Sequence, residues 1–298
     1  MTEPGTVSWR QLWVETEAHV GARNVARWLC EEACGLEGGE FLAELDRPAT
    51  ESMVHHLDAM AARVGAGEPV QYVLGHWSFR HLDLMVDRRV LIPRPETEQL
   101  VDLALQRARS SQRWPELVCV DLGTGSGAIG LSLVAELPLA SSFAGSLAGP
   151  TVWCTDVSAD ALDVARANAA GVGRKAVNAR FALGSWFDAL PSDLRGRIDL
   201  IVANPPYIAD DDPEVEASVG TWEPPGALFS GDDGLDAIRV FAAHGVDWLA
   251  PGGWLLVEIG HRQGAQVAQL LRGHGWADVS IEADLAGRDR FAVASAPR

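Results

Sequence analysis

From residue 96 onward the chain alternates short apolar runs with stretches of helical periodicity, and this alternation most constrains its fold. Strands that alternate with helices build a parallel sheet with helices on both faces. The predicted strands are residues 117–122, 151–156, 179–183, 198–203, 254–259, 278–282 and 290–294. The predicted helices begin near Glu96, Ser126, Ala159, Gly234 and Gln263. We therefore expect an α/β fold with a doubly wound, seven-strand Rossmann-like sheet that ends in a hairpin-like pair of strands.

The part of the chain before this pattern has a different character. Apolar residues recur at helical spacing up to about residue 64, with breaks at residues 35–39 and 46–50, where Thr50 is a candidate N-cap. After a Gly- and Pro-containing break, the chain alternates in polarity as a β-hairpin does. The sequence therefore predicts a small helical domain at residues 1–68, a β-hairpin linker at residues 69–93 and the α/β domain at residues 94–298.

The charge balance restricts the choice of partners. The 298 residues contain 24 Lys and Arg against 41 Asp and Glu, which gives a net charge of −17 and a pI near 4.8. A field of this sign repels polyphosphate, and no run of basic residues is present to offset it. We expect no stable nucleic-acid binding.

Membrane and metal signals are also missing from the sequence. The chain does not begin with a basic segment followed by an apolar one, and no apolar run approaches the roughly 20 residues that span a bilayer. Four cysteines are too few for a disulfide scaffold, and Cys30 and Cys34 have no second Cys or His pair at zinc-ligand spacing. We expect a cytoplasmic monomer without a metal.

A glycine-rich turn follows the first predicted strand of the α/β domain. Its residues are Gly123, Thr124, Gly125, Ser126 and Gly127, and Asp121 precedes them. Glycines let the backbone turn tightly and let a ligand approach where a Cβ would interfere, so the turn predicts a nucleoside-like cofactor. NAD and FAD sites carry G-x-G-x-x-G at this place, whereas the glycines here alternate.

Two later positions suit the same cofactor. Asp156 ends the next predicted strand, where a carboxylate can accept hydrogen bonds from a ribose diol; the alternative is an N-cap for the helix at Ala159, a role that Ser158 also suits. Trp186 follows the third predicted strand and could form an apolar wall for adenine, although a lone Trp is more often part of a core.

The tetrapeptide Asn204-Pro205-Pro206-Tyr207 follows the fourth predicted strand. Ligands of open parallel sheets bind beyond the strand carboxyl ends, so this turn should face the glycine-rich turn. The prolines supply no N–H, and the turn therefore offers oxygen acceptors that can hold the N–H groups of an amide or aromatic amine; Tyr207 could stack on that planar group. The alternative interpretation is an ordinary turn, since Asn and Pro are turn formers.

Taken together, these motifs resemble the release factor glutamine methyltransferases, a family of class I S-adenosylmethionine-dependent methyltransferases. The resemblance runs through most of the chain. It is carried by residues 69–75, 91–98, 121–127, 204–208, 223–224, 231–235, 258–260 and 284–290.

The resemblance implies functions for the predicted sites. Asn204, Pro205, Pro206 and Tyr207 would hold the glutamine amide of the Gly-Gly-Gln motif in bacterial class I peptide chain release factors. Residues 123–127, Asp156, Trp186 and Asn204 would bind S-adenosylmethionine, and the domain at residues 1–68 would help to dock the release factor.

The sequence also departs from the family pattern. Ser185 stands where the family commonly has Asp before the tryptophan, His81 stands at a usual hairpin glycine, and the loop at residues 137–150 is longer than typical. Residues 94–98 are expected to border the active site, although favouring the start of the following helix would also explain Glu96 and Glu98.

Two alternative functions remain open from the sequence. Adenine-N6 methyltransferases of nucleic acids use the same acceptor tetrapeptide, although the net charge of −17 disfavours phosphate binding. A non-catalytic binding module with the same fold is the other alternative, which the intact glycine-rich turn and Asn204 argue against.

Overall fold

The structure is a computed structural model that describes residues 6–111, 113, 116–138, 140–141, 147–212 and 219–298. The chain divides into two compact units, Met1–His76 and Trp77–Arg298. None of the helices in the described ranges is long and apolar enough to cross a lipid bilayer.

The first unit is helical, as the sequence predicts. Its helices are α1 (Trp9–Val20), α2 (Arg23–Cys34), α3 (Gly38–Ala43), α4 (Glu51–Gly65) and α5 (Val70–Leu74). Thr50 is confirmed as the N-cap of α4, because its side chain accepts a hydrogen bond from the Met53 backbone. Trp9, Leu29, Phe41 and Leu57 are fully buried among these helices and form the centre of their core.

The linker differs from the predicted hairpin in its first residues. Residues 70–74 form helix α5, since the Pro69 carbonyl accepts hydrogen bonds from the Tyr72 and Val73 amides and Gly75 ends the turn in the left-handed conformation. The hairpin consists only of strands β1 (His76–Phe79) and β2 (Leu82–Met85). Alternating polarity over so short a segment did not distinguish one helical turn from a strand.

The predicted seven-strand sheet is confirmed in the second unit. The remaining strands are β3 (Val118–Leu122), β4 (Ala140–Ser141), β5 (Leu147–Ala148), β6 (Thr151–Asp156), β7 (Ala179–Leu183), β8 (Ile198–Ala203), β9 (Leu249–Glu258), β10 (Ala277–Ala283) and β11 (Asp289–Ser295). The sheet has the order β10–β11–β9–β8–β3–β6–β7, in which only β11 runs antiparallel to its neighbours. Strands β4 and β5 pair only with each other and lie in the predicted long loop.

Strand β9 begins five residues before the predicted strand at 254. Leu249 pairs with Ile198 and Trp254 pairs with Leu200, so the segment between them is a bulge that contains Pro251 and Gly252. Proline and glycine ordinarily mark the end of a strand, and the sequence prediction therefore began after them.

Helices cover both faces of the sheet. They are α6 (Pro95–Ser110), α7 (Ala128–Glu136), α8 (Ala159–Val172), α10 (Asp236–Trp248) and α11 (Gly264–Gly273); the short helix α9 (Val219–Trp222) lies between β8 and α10 in the chain. Successive side chains of β3 point to opposite faces: Cys119 packs in the core beneath α6 and α7, and Val120 packs in the core beneath α10 and α11. The chain crosses from one face to the other and so forms the expected doubly wound architecture.

The hairpin is tied to the helices of the second unit by Arg80. Its guanidinium contacts Glu136 on α7 at 2.6 Å and Asp102 on α6 at 2.8 Å, and its backbone N–H donates to Glu98 Oε1 at 3.0 Å. Glu98 therefore has a structural contact away from the cavity described below.

Gly130 on α7 is a position where an added methyl group should destabilise the fold. A Cβ there would lie under 3.0 Å from the Cys154 sulfur, and Cys154 is fully buried on β6. We expect Gly130→Ala to lower the free energy of unfolding by about 1–3 kcal/mol, the usual cost of overpacking a core. Urea denaturation measures this change. Gly171→Ala on α8, where a Cβ meets open space, is the control and should leave stability unchanged or raise it by up to about 1 kcal/mol; equal effects of the two substitutions would contradict the packing argument.

Candidate active site

The strand register brings four chain segments together at the carboxyl edge of the sheet. Leu122 at the end of β3 is paired with Thr155 of β6 and Ala203 of β8, and Ala203 is paired with Val257 of β9. The residues that follow are Gly123, Asp156, Asn204 and Glu258. Residues far apart in sequence therefore meet at one edge, as expected for an open parallel sheet.

A cavity of about 260 Å³ opens at this edge. Most of the predicted site residues line it: Gly123, Thr124, Gly125, Ser126, Asp156, Trp186, Asn204 and Pro206. Gly127, Pro205 and Tyr207 do not. The structure therefore brings the glycine-rich turn and two residues of the tetrapeptide, Asn204 and Pro206, to a common space.

The glycine-rich turn requires its glycines. Gly123, Gly125 and Gly127 have φ angles of 75°, 54° and 87°, in the left-handed region that other residues rarely adopt. The Gly123 and Thr124 amides both donate to the Thr155 carbonyl, at 2.9 and 2.8 Å, which holds the turn against β6. Gly127 serves packing, because a Cβ on it would lie 2.8 Å from the Leu131 side chain.

Asp121 stabilises the glycine-rich turn from the interior of the protein. Its Oδ2 accepts hydrogen bonds from Thr124 Oγ1 at 2.6 Å and from the Gly130 amide at 2.9 Å. The side chain is completely buried, and this burial raises its pKa to about 7. Asp121 therefore shapes the glycine-rich turn from within the protein and does not line the cavity.

Asp156 lines the cavity and also organises its wall. One carboxylate oxygen accepts from the Gly125 amide and the other from the Ser158 amide, both at 2.9 Å. Burial raises its pKa above the ordinary value of a carboxyl group. Ser158, whose hydroxyl accepts from the Ala161 amide, is the N-cap of α8, so Asp156 is not needed for that role.

Trp186 borders both the cavity and the core. Its ring meets Phe241 edge to face with 4.8 Å between centroids, and a Cβ added to Gly123 would lie only 3.5 Å from the ring. Trp186 therefore packs against the core and also lines the cavity, and its contact with adenine stays a prediction. Ser185, which departs from the family pattern, lines the cavity beside it.

The tetrapeptide divides between cavity and interior. Asn204 and Pro206 line the cavity, whereas Pro205 is buried. The Tyr207 hydroxyl lies 3.4 Å from Glu258 Oε1, and the Tyr207 carbonyl accepts a hydrogen bond from Gln263 Nε2 at 2.9 Å. Burial and the nearby Glu258 raise the pKa of Tyr207 to about 12, so its hydroxyl stays protonated at neutral pH.

Asn204 is joined to Thr97, which lies in the segment expected to border the active site, and through Thr97 to Glu258, which the sequence analysis did not single out. Asn204 Nδ2 donates to Thr97 Oγ1 at 3.1 Å, and the Thr97 hydroxyl donates to Glu258 Oε2 at 2.7 Å. Thr97 lies in the first turn of α6 and lines the cavity, while Glu258 is 1% exposed. The available signal was a single acidic residue at the end of an otherwise apolar strand, in residues 254–259.

A second side of the cavity comes from two loops that an ion pair joins. Glu223 is buried and accepts hydrogen bonds from Arg94 at 2.5 Å and from the Ile92 amide at 3.2 Å. Flanking residues of both loops line the cavity, namely Arg89, Val90, Leu91, Pro93, Pro224, Gly226 and Ala227. Glu96 contacts Arg288 at 3.5 Å and does not line the cavity, so of residues 96–98 only Thr97 does.

The site combines three chemical properties. A carboxylate at Asp156 can accept hydrogen bonds from hydroxyl groups, apolar walls can enclose a flat ring, and Asn204 with the proline turn offers acceptors for N–H groups. Among the described residues no group of three or more His, Cys, Asp and Glu could hold a metal ion. The arrangement therefore suits a nucleoside-like ligand next to an amide or amine.

Comparison with known proteins agrees with this geometry. A family model described as the PrmC N-terminal domain matches residues 16–75, and one described as the methyltransferase small domain matches residues 105–220. The release factor glutamine methyltransferase of Xylella fastidiosa is 43% identical over 252 residues, which cover 85% of each chain. The protein of the same name from Cereibacter sphaeroides is 40% identical over 273 residues, which cover 91% of this chain and 90% of the relative.

A solved structure supports the fold alone. The hMettl16 catalytic domain in complex with the MAT2A 3′UTR hairpin 6 is 14% identical, with a TM-score of 0.50 over 72% of this chain and 75% of that chain. Identity at this level carries no information about the substrate. The identity to the two curated relatives extends over both units and over the cavity, and the chain therefore belongs to the release factor glutamine methyltransferase family.

Proposed function

We propose that this protein transfers a methyl group from S-adenosylmethionine to the side-chain amide nitrogen of the glutamine in the Gly-Gly-Gln motif of peptide chain release factors. The observation that carries the proposal is the shared cavity of Asn204, Pro206 and the glycine-rich turn. Membership of the family supports the choice of a release factor as the substrate.

The residues of the cavity fit the proposed cofactor. Each Asp156 oxygen accepts one backbone N–H and keeps a further lone pair for a ribose hydroxyl. Trp186 and the neighbouring Ser185 would border the adenine. The positive φ angles at positions 123 and 125 favour glycine, and because glycine has no side chain the cofactor could approach the backbone there. When bound, S-adenosylmethionine supplies a methyl group on a positively charged sulfur, which an amide nitrogen can take up with the loss of one proton.

Asn204 would act on the substrate amide. An amide nitrogen is a weak nucleophile because its lone pair is delocalised into the carbonyl group. An acceptor oxygen that holds an N–H hydrogen fixes the orientation of the nitrogen and stabilises the positive charge that develops on it. The turn that contains Pro206 supplies further oxygen acceptors and no N–H groups of its own at the two prolines. A strong base is unnecessary, since the proton can leave after transfer.

We further propose that the helical unit helps to dock the release factor. The match of residues 16–75 to the PrmC N-terminal domain supports this assignment. Because a protein substrate must present one glutamine side chain to a confined cavity, a separate docking surface would supply binding energy away from the reacting atoms. The same function would place the protein in the cytoplasm, and we propose that it acts there as a monomer.

A methyl-transfer assay with labelled S-adenosylmethionine tests the proposal. We expect label on a wild-type release factor and none on the variant in which the Gly-Gly-Gln glutamine is replaced by Ala, because that variant lacks the accepting nitrogen. Duplex DNA is the third substrate and should stay unlabelled. Label on DNA would favour an adenine-N6 methyltransferase, and the absence of label from every substrate would favour a binding module.

A further inference from the structure

A buried carboxylate is connected to the substrate-facing amide through one hydroxyl group. Glu258 ends β9, Thr97 lies on α6, and Asn204 follows β8, so three separate elements supply the connection. The distances are 2.7 Å from Thr97 Oγ1 to Glu258 Oε2 and 3.1 Å from Asn204 Nδ2 to Thr97 Oγ1. The hydroxyl of Tyr207, at the other end of the tetrapeptide, lies 3.4 Å from the second carboxylate oxygen.

The order of donors and acceptors in this connection determines which way the Asn204 amide points. A threonine hydroxyl has one hydrogen, and an ionised carboxylate only accepts, so Thr97 must use its hydrogen on Glu258. The Thr97 oxygen can then only accept a hydrogen bond from Asn204, and Asn204 must donate it from Nδ2. The amide oxygen Oδ1 is consequently the atom left for the cavity, where an acceptor is required.

We propose that Thr97 and Glu258 are positioning residues that hold the Asn204 amide with its oxygen toward the substrate. The inference rests on the proposed function, since the acceptor matters only if the substrate presents N–H groups. Neither residue needs to touch the substrate, because the hydrogen-bond direction set at Glu258 is transmitted through Thr97.

Protonation of Glu258 would reverse the donor and acceptor roles in these two hydrogen bonds. A neutral carboxyl group can donate to Thr97 Oγ1, which frees the threonine hydrogen to point at Asn204 and favours the flipped amide. The flipped amide presents N–H groups to the substrate's own N–H groups and cannot hold them. The connection therefore selects the acceptor orientation only while Glu258 is ionised.

The surroundings of Glu258 place this change near neutral pH. Burial is the largest cause that raises its pKa, and charge repulsion from Glu96 on α6 contributes in the same direction, so that the pKa lies at about 7. The Thr97 and Tyr207 hydrogen bonds and the positive charge of Arg290 on β11 act in the opposite direction. The kcat should consequently rise with pH through about 7 as the carboxylate ionises.

Thr97→Val tests the inference because valine has nearly the shape of threonine and cannot make either hydrogen bond. We expect kcat to fall about tenfold to a hundredfold, the usual result of a misplaced catalytic group. The KM for the release factor and the Kd for S-adenosylhomocysteine should change less than about threefold, since shape and cofactor contacts are kept. Thr97→Ser, which restores the hydroxyl, is the matched control and should recover most of the lost kcat.

The pH profile separates orientation from simple packing. With saturating cofactor, the kcat of the wild-type protein should fall as the pH is lowered below about 7. The kcat of Thr97→Val and of Glu258→Gln should depend less on pH. Asp121, whose pKa is also about 7, accepts hydrogen bonds from Thr124 in the glycine-rich turn and from Gly130 on α7, so its titration should act on cofactor binding, which saturating cofactor compensates.

The outcomes separate this inference from the proposed function. If wild-type protein does not methylate a release factor, the proposed function fails. If wild-type protein is active and Thr97→Val keeps the same kcat and the same pH profile, only the positioning role is overturned. An equal loss in Thr97→Ser and Thr97→Val, with a lowered melting temperature in both, would also overturn it in favour of packing.

Discussion

Replacing Asn204 with Ala should lower kcat by about 10²–10³-fold, the size of effect seen when one preorganised hydrogen-bonding group is removed from an active site. The substitution removes the side-chain oxygen that would hold the substrate amide and leaves the backbone of the turn in place. The Thr97 hydroxyl keeps its hydrogen bond to Glu258, so the buried carboxylate retains a donor. Single-turnover methyl transfer to a wild-type release factor measures the change.

Cofactor binding is the control for this prediction. Asn204 is one of several residues expected to contact the cofactor, and the Asp156 and glycine-turn contacts do not involve it, so the Kd for S-adenosylhomocysteine measured by calorimetry should stay within about threefold of wild type. A variant that binds the cofactor normally and transfers methyl groups at the wild-type rate would refute the role of Asn204. Loss of both properties would instead indicate that the turn had collapsed.

Replacing Asp156 with Ala should weaken cofactor binding by about a hundredfold or more. Hydrogen bonds to a charged acceptor contribute about 1.5–3 kcal/mol each, and a ribose diol would make two of them. The substitution also removes the acceptor of the Gly125 amide, which loosens the turn that the cofactor must contact. The Kd for S-adenosylmethionine, from calorimetry or tryptophan fluorescence, measures the loss.

Asp160 offers a matched control for Asp156. It lies four residues later in the first turn of α8, is exposed and does not line the cavity. Asp160→Ala removes the same charge from the same part of the molecule and should change the Kd by less than about threefold. Comparable losses in the two variants would mean that general electrostatics, and not direct contact with the ribose, explains the effect.

The strands and the glycine-rich turn were predictable because their signals are local. Strands β6, β7 and β8 have the predicted bounds, since each is an apolar segment bounded by turn residues. The glycines of residues 123–127 predicted a tight turn, and the structure shows such a turn with positive φ angles at all three glycines. The errors occurred where local signals were ambiguous, at the short helix α5 and at the bulge in β9.

The sequence by itself determined the order of strands and helices along the chain, the position of the glycine-rich turn and the family, because each depends on residues that are near neighbours in the chain. Only the tertiary structure decided that Thr97 and Glu258 contact the two ends of the tetrapeptide. Thr97 lies 107 residues before Asn204, and Glu258 lies 51 residues after Tyr207. It also decided that Tyr207 contacts Glu258 and does not line the cavity. The physical reason is that a hydrogen bond requires contact within about 3 Å. Parallel strand pairing and the packing of α6 on the sheet create such contacts between residues that are far apart in the sequence.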